Sequence, residues 1–392
     1  MPARSFRIMN VVGARPNMMK MAPLFREMMS ASFLDPVLVH TGQHYDYDLS
    51  QVFFEQLRMP QPDYNLEVGS GTHHSQTAAV MERFGNLVRE SRPDLIVVVG
   101  DVNSTMACAL VGAKELIPVA HVEAGLRSFD RTMPEEVNRV VTDAVSELLF
   151  TTEESAAENL EREGISREKV HFVGNLMIDS LVQALDTARA SALKARMGLE
   201  PKKYVVLTLH RPANVDDPER LARTLTAISE IARDFPVVFP VHPRTKAKIA
   251  ASGFEGAREW RSGMTGAGIL TIPPASYLDF IGLVDDAALV ITDSGGLQEE
   301  TSYLGVDCLT FRENTERPVT VLQGTNRLVG TDPDALLREA RAVLYDGRPS
   351  RNGQHVPPRF WDGQAAGRIV GVLHNYLLGQ ASEGCASHQD LR

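Results

Sequence analysis

The chain has 392 residues, of which 43% are hydrophobic and 23% charged, with a formal net charge of −10. That length exceeds one ordinary core and predicts two domains, while the acidity excludes nucleic acid or an anionic membrane surface as a bulk partner. Three widely spaced cysteines, Cys108, Cys308 and Cys385, give neither a disulfide framework nor a zinc cluster.

Met1 to Arg7 leads straight into a strand-like run with no signal-peptide apolar region, and no apolar run reaches membrane length, so a cytoplasmic protein is expected. Short runs rich in Val, Ile and Leu alternate with helical spacing almost throughout, the pattern of parallel sheets with crossover helices. Strands are predicted at Phe6–Val12, Pro36–Thr41, Leu95–Gly100, Pro118–Val122, Leu148–Thr152 and Val170–Val173. Helical patterns fill the intervals at Ser75–Glu90, Thr105–Glu115 and Pro134–Ser146. After Gly174 an Ala-rich helical stretch runs to Met197. A second series then follows at Tyr204–Leu209, Val237–Pro240, Ile269–Ile272, Leu289–Thr292, Cys308–Phe311 and Arg327–Val329. We place the domain boundary at Gly174, with domains over 1–173 and 174–362. A last helix falls within 363–378, and 380–392 reads as a loose tail.

In open α/β sheets ligands bind beyond the carboxyl ends of strands, so strand ends supply the candidates. The first strand is followed by Gly13-Ala14-Arg15-Pro16-Asn17-Met18-Met19-Lys20. This is no Walker A loop, because its second Gly and its Lys-Ser/Thr pair are missing. Asp101 follows the strand at Leu95, where N-capping is its plainest role. Glu123 ends an otherwise apolar strand, and a carboxylate there must be paired or have a raised pKa. Downstream, Glu135 and Arg139 have the i,i+4 spacing of an ion pair.

In the second half, Leu289–Thr292 leads into Asp293-Ser294-Gly295-Gly296-Leu297-Gln298-Glu299-Glu300. Strand, Gly-turn and helix aim backbone N–H groups and a positive helix end at a phosphate, and glycines at 295 and 296 remove the Cβ that would hold it away. Ser294 adds a hydroxyl, and one of Glu299 and Glu300 suits a ribose diol, since a carboxylate accepts both protons. His210-Arg211 and Thr315-Glu316-Arg317 place further cations at strand ends. Metal signals are poor, and no metal is expected: Asp46-Tyr47-Asp48 has the Asp-x-Asp form but is too short to be specific.

These stretches, with Thr41-Gly42-Gln43-His44, His121-Val122-Glu123-Ala124-Gly125-Leu126-Arg127, Pro134-Glu135-Glu136-Val137-Asn138-Arg139 and Pro240-Val241-His242-Pro243, resemble the non-hydrolysing UDP-N-acetylglucosamine 2-epimerases over roughly residues 6 to 378. The resemblance implies two Rossmann-like domains in the glycosyltransferase-B arrangement, with the active site in the interdomain cleft and the last helix returning to the first domain. It also implies a homodimer that takes a UDP-sugar and needs no cofactor. Asp101, Glu123 and Glu135 would be the acid–base carboxylates, with His210 beside them in the catalytic set. Arg15, His210, Ser294, Gly295 and Gly296 would hold the diphosphate, with Arg317 also on the substrate and Glu300 on the ribose. Phe280 would lie against uracil, and Lys20 and Arg139 would be supporting charges.

Many bacterial members bind a second substrate molecule as an activator. Gln43, His44 and His242 are kept from that site, but Tyr45, Asp46 and Pro212 depart from its pattern and 69–74 has no arginine, so weak or absent activation is expected. A hydrolysing epimerase, a 2-epimerase of a related diacetamido-sugar uronate, and a glycosyltransferase of the same fold are the competing readings. The last needs an acceptor groove with a basic or apolar patch, which the first domain does not show.

Overall fold

The computed structural model describes residues 5–42, 59–264, 266–347 and 356–386, the side chains of Arg15 and of 381–386 excepted. The chain divides into two compact units, Met1–Ser180 with Arg359–Arg392 and Leu181–Pro358. The division falls inside the helix Leu176–Arg189, downstream of Gly174. The helical stretch to Met197 is in fact two helices, Leu176–Arg189 and Leu193–Met197. The last helix runs through Ala386, so the expected loose tail is helical over its first residues.

The first unit holds β1 (Phe6–Val12), β2 (Leu34–His40), β3 (Tyr64–Asn65), β4 (Leu95–Val99), β5 (Val119–Val122), β6 (Leu148–Thr151) and β7 (Val170–Phe172). They form one seven-stranded sheet in the order β3-β2-β1-β4-β5-β6-β7. All pairings are parallel. Helices cover parallel sheets on both faces, so central strands are apolar throughout. Leu95-Ile96-Val97-Val98-Val99 is buried at every position, as that demands.

The second unit repeats the plan with β8 (Val205–Thr208), β9 (Val237–Pro240), β10 (Ala257–Glu259), β11 (Ile269–Ile272), β12 (Leu289–Thr292), β13 (Cys308–Thr310) and β14 (Asn326–Leu328). Its order is β10-β11-β9-β8-β12-β13-β14, again parallel throughout. Alternate β12 residues feed opposite cores: Leu289 and Ile291 pack with Leu225 and Phe239, Val290 with Tyr204 and Leu283. Helix starts follow local rules. Proline occupies the first turn at Pro134, Pro218 and Pro333, where its missing N–H costs nothing. Asp217 caps its helix by accepting from Glu219 N at 3.0 Å.

In each sheet the chain crosses from one side of its first strand to the other, between β1 and β4 and between β8 and β12. Such switch points open a crevice at the carboxyl ends of the two strands. Both of them are occupied by residues singled out above.

Candidate functional site

On the first sheet, Asn17 ties the two switch-point strands together. Its side chain accepts from Ala14 N at 3.0 Å and donates to the Val99 carbonyl at 2.7 Å. Lys20, in the next turn of the helix Arg15–Ser30, makes a buried ion pair with Glu123. Glu123 adopts φ +72°, a left-handed backbone that costs a side-chain-bearing residue roughly 1–2 kcal/mol. The Glu123 and Ala124 N–H groups both donate to the Phe150 carbonyl, at 3.1 and 3.0 Å, and hold that turn. Gly100 completes the crevice. A Cβ there would lie 3.4 Å from both the Glu123 carboxylate and the Lys20 ammonium, at φ +69°.

Asp101 follows directly and is held by Arg139, Oδ2 to Nη1 at 2.6 Å. The expected Glu135–Arg139 pair does not form. Arg139 turns instead to Glu136, three residues away, at 2.7 Å, and to Asp101. Glu136 is buried and also accepts from Ser128 N at 2.9 Å and Phe129 N at 3.0 Å. Burial alone would raise the Glu136 carboxyl, but Ser128 N–H and Arg139 outweigh it and hold it below the usual range. Glu135 stands exposed in the first turn of the same helix. Beneath Gly100, the buried His121 bonds the Gly100 carbonyl (2.8 Å) and Asp143 (2.6 Å), and Asp143 also pairs with Arg127 at 2.7 Å.

On the second sheet, Ser294 precedes the helix Gly295–Leu304, and its N–H donates to Thr292 Oγ1 at 2.9 Å. The two glycines, expected to act alike, have different surroundings. A Cβ at Gly295 would meet Arg317 Nη1 at 2.7 Å and Glu316 Oε1 at 2.6 Å, whereas one at Gly296 would meet nothing within 4 Å. Gly295 therefore makes room for Arg317, and Gly296 leaves the helix start open. Arg317 is buried behind the turn, 2.7 Å from Glu299 and also paired with Glu316. Burial would raise the Glu316 carboxyl, but Arg317 and Arg312 hold it far below its ordinary range.

Glu300 is buried, with Tyr277 Oη donating to it at 3.0 Å. Burial pushes its carboxyl up to about 8, against the Tyr277 bond and with help from Glu299. Between the ordinary value of 4.5 and about 8 the folded chain therefore keeps a proton that the unfolded chain has lost, so stability falls as pH rises through that window. Glu300→Gln is expected to abolish this slope and to stabilise the ligand-free protein at pH 8 by on the order of a few kcal/mol. Urea titrations at pH 5 and pH 8 test this, and an unchanged difference between the two would mean that Glu300 is already ionised.

His210, its side chain 60% exposed, contacts the buried Asp293 at 2.7 Å. Phe280 is partly buried and packs on the core that contains Tyr204 and Val290. His242 is exposed at the end of β9 and caps its own helix, accepting from Arg244 N at 3.3 Å. Gln43 and His44, with the side chain of Arg15, lie outside the described residues. The sequence alone assigns no role to Asp293, Glu136, His121 or Asp143. Asp293 and His121 lie at strand ends, and Glu136 and Asp143 on the helix Pro134–Val145.

Residues 26–374 match the family described as UDP-N-acetylglucosamine 2-epimerase. The chain belongs to that family. A UDP-N-acetylglucosamine 2-epimerase of Methanococcus maripaludis is 40% identical over 373 residues, covering 94% of this chain and 98% of the relative. A UDP-2,3-diacetamido-2,3-dideoxy-D-glucuronate 2-epimerase of Pseudomonas aeruginosa is 37% identical over 371 residues, 94% of this chain and 99% of its own. The family's Methanocaldococcus jannaschii member, solved with UDP-GlcNAc and UDP, superposes with a TM-score of 0.81 at 38% identity, over 94% of this chain and 99% of that one. The expected fold, two Rossmann-like units as in glycosyltransferase-B enzymes, agrees with these neighbours. No helix among the described residues is long and apolar enough to cross a membrane.

Proposed function

We propose that the chain interconverts UDP-N-acetylglucosamine and UDP-N-acetylmannosamine without hydrolysis, by eliminating UDP to 2-acetamidoglucal and adding it back, for surface-polysaccharide precursors. The observation that carries this reading is the content of the two switch points. One gathers Glu123 and Asp101, each held against a buried cation, and the other opens a glycine helix start beside His210. In elimination a carboxylate takes the C2 proton, the electron pair forms the C1–C2 double bond, and the C1–O bond to UDP breaks. In re-addition a proton reaches C2 on the other face as the UDP oxygen returns to C1. The sequence is redox-neutral and asks for acid–base groups and a firm grip on the leaving diphosphate.

Glu123, Asp101 and the exposed Glu135 serve the acid–base steps, with Lys20 and Arg139 setting the first two. The N–H groups of the Ser294–Gly296 turn, His210 and Arg15 take the diphosphate, with Arg317 adding positive charge from behind. Glu300 takes the ribose hydroxyls and Phe280 flanks the uracil. A UDP-sugar uronate as substrate is the second reading, and the Pseudomonas relative favours it. Likeness to the family also supports a cytoplasmic homodimer.

Proton NMR in deuterated water tests the reaction. Both the product and the recovered substrate should acquire deuterium at C2. Retention of the C2 proton would sink the elimination route, and free N-acetylmannosamine accumulating with UDP would make the enzyme a hydrolase.

A further inference from the structure

Asp293 stands at the carboxyl end of β12, fully buried, immediately before the helix start that the proposed reading assigns to the diphosphate. It does not cap that helix. Its carboxylate reaches across the switch point to the end of β8, accepting from Arg211 N at 2.9 Å, His210 N at 3.0 Å and Asn214 Nδ2 at 3.0 Å. Its other oxygen lies 2.7 Å from His210 Nδ1. Burial would raise this carboxyl, yet His210, Arg211 N–H and Asn214 together hold it below the ordinary range. An ionised carboxylate can only accept, so the facing Nδ1 must carry a proton. Nε2 is then the nitrogen left to the exposed side of the ring.

We propose that Asp293 is the positioning residue of His210: it fixes the Nδ1–H form and leaves Nε2 to meet the diphosphate seated on the adjacent Ser294–Gly296 turn. With a proton on each nitrogen, the ring donates Nδ1–H to Asp293 and Nε2–H to the charge that develops on the departing diphosphate. The buried carboxylate balances the ring's charge in that arrangement, and its three other bonds keep the ring's backbone from drifting. This rests on the epimerase reading for its catalytic consequence. The ring's tautomer does not depend on it.

The test combines Asp293→Asn, His210→Ala and the double variant. Asp293→Asn keeps the shape but presents an amide N–H to Nδ1 or withdraws an acceptor from the backbone. Its kcat should fall about a hundredfold, within the range of a lost acid–base contribution, while KM moves by less than about threefold and UDP, which carries the departed charge, binds more weakly. In the His210→Ala background the same change should cost less than about twofold more, because the two residues act as one unit. Equal losses in both backgrounds would make Asp293 a purely structural carboxylate and overturn the proposal. Nitrogen-15 histidine spectra of the ligand-free wild type, assigned with His210→Ala, should show a protonated Nδ1 on His210. A ring protonated on Nε2 alone overturns the proposal even if Asp293→Asn does not fold. Absence of turnover with any UDP-sugar would instead count against the epimerase reading, leaving the spectra and UDP binding to decide on Asp293.

Discussion

Glu123→Gln is expected to lower kcat by about two to four orders of magnitude, the range for loss of a positioned acid or base, while UDP binding persists. Glu123 is 5% exposed and carries a left-handed backbone, held by the Glu123 and Ala124 N–H bonds to the Phe150 carbonyl. Its carboxylate is paired with Lys20 at the first switch point, whereas the groups assigned to UDP are all in the other unit except Arg15. Gln keeps the shape and removes the proton acceptor. It also leaves the Lys20 ammonium without its counter-charge, so some stability is lost, and a melting curve must accompany the kinetics. Asp101→Asn should behave alike, with Arg139 still held by Glu136. Calorimetric UDP titrations separate the outcomes. A parallel loss of UDP affinity in both variants would mean that these carboxylates build the site rather than act in it.

Asp143→Asn should be the most destabilising change in the first unit, by about 3–5 kcal/mol, the cost of breaking a buried charge network from one side. Asp143 is 1% exposed and faces His121 at 2.6 Å, Arg127 at 2.7 Å and the Gly125 N–H at 3.1 Å. The amide would leave the Arg127 charge balanced by the half-exposed Glu163 alone among these contacts. Burial would raise the Asp143 carboxyl, but His121 and Arg127 hold it below 3.8. Its contribution is therefore complete above pH 3.8 and is lost as pH falls through the lower folded value, so the gap between variant and wild type should narrow in acid. Urea unfolding from pH 7 down to pH 3 measures this. A loss under about 1 kcal/mol at pH 7 would show the network to be nearly neutral, as some buried ion pairs are.

The strands were legible because a doubly covered parallel sheet demands continuous apolar runs, as at Leu95–Val99 and Leu289–Thr292. β3 and β10 escaped because they are short, at Tyr64–Asn65 and Ala257–Glu259, and largely exposed, so they carry no such run. At the sites, Glu123, Asp101 and Ser294–Gly296 stood out as chemistry-bearing residues at strand ends. The buried carboxylates behind the histidines did not. Asp293 meets His210 from 83 positions away and Asp143 meets His121 from 22, and local spacing encodes neither pairing. Arg139 shows the converse error. Helical spacing offered Glu135 as its partner, but Glu136 faces inward and takes the guanidinium.

The first unit is assembled from two distant stretches of chain, and this bears on the order in which the protein can be completed during synthesis. Asp179, at the exit from the first stretch, accepts the Ala365 and Ala366 N–H groups at 3.1 and 2.8 Å, and the final helix packs on the helix Arg15–Ser30. Leu181–Pro358 is contiguous and can close as soon as it leaves the ribosome. The earlier-made unit must wait, with one flank of Arg15–Ser30 uncovered, until the segment after Arg359 has been translated. The half of the enzyme proposed to carry the acid–base carboxylates would thus be begun first and finished last, and a nascent chain stalled before Ala365 should display that flank to chaperones.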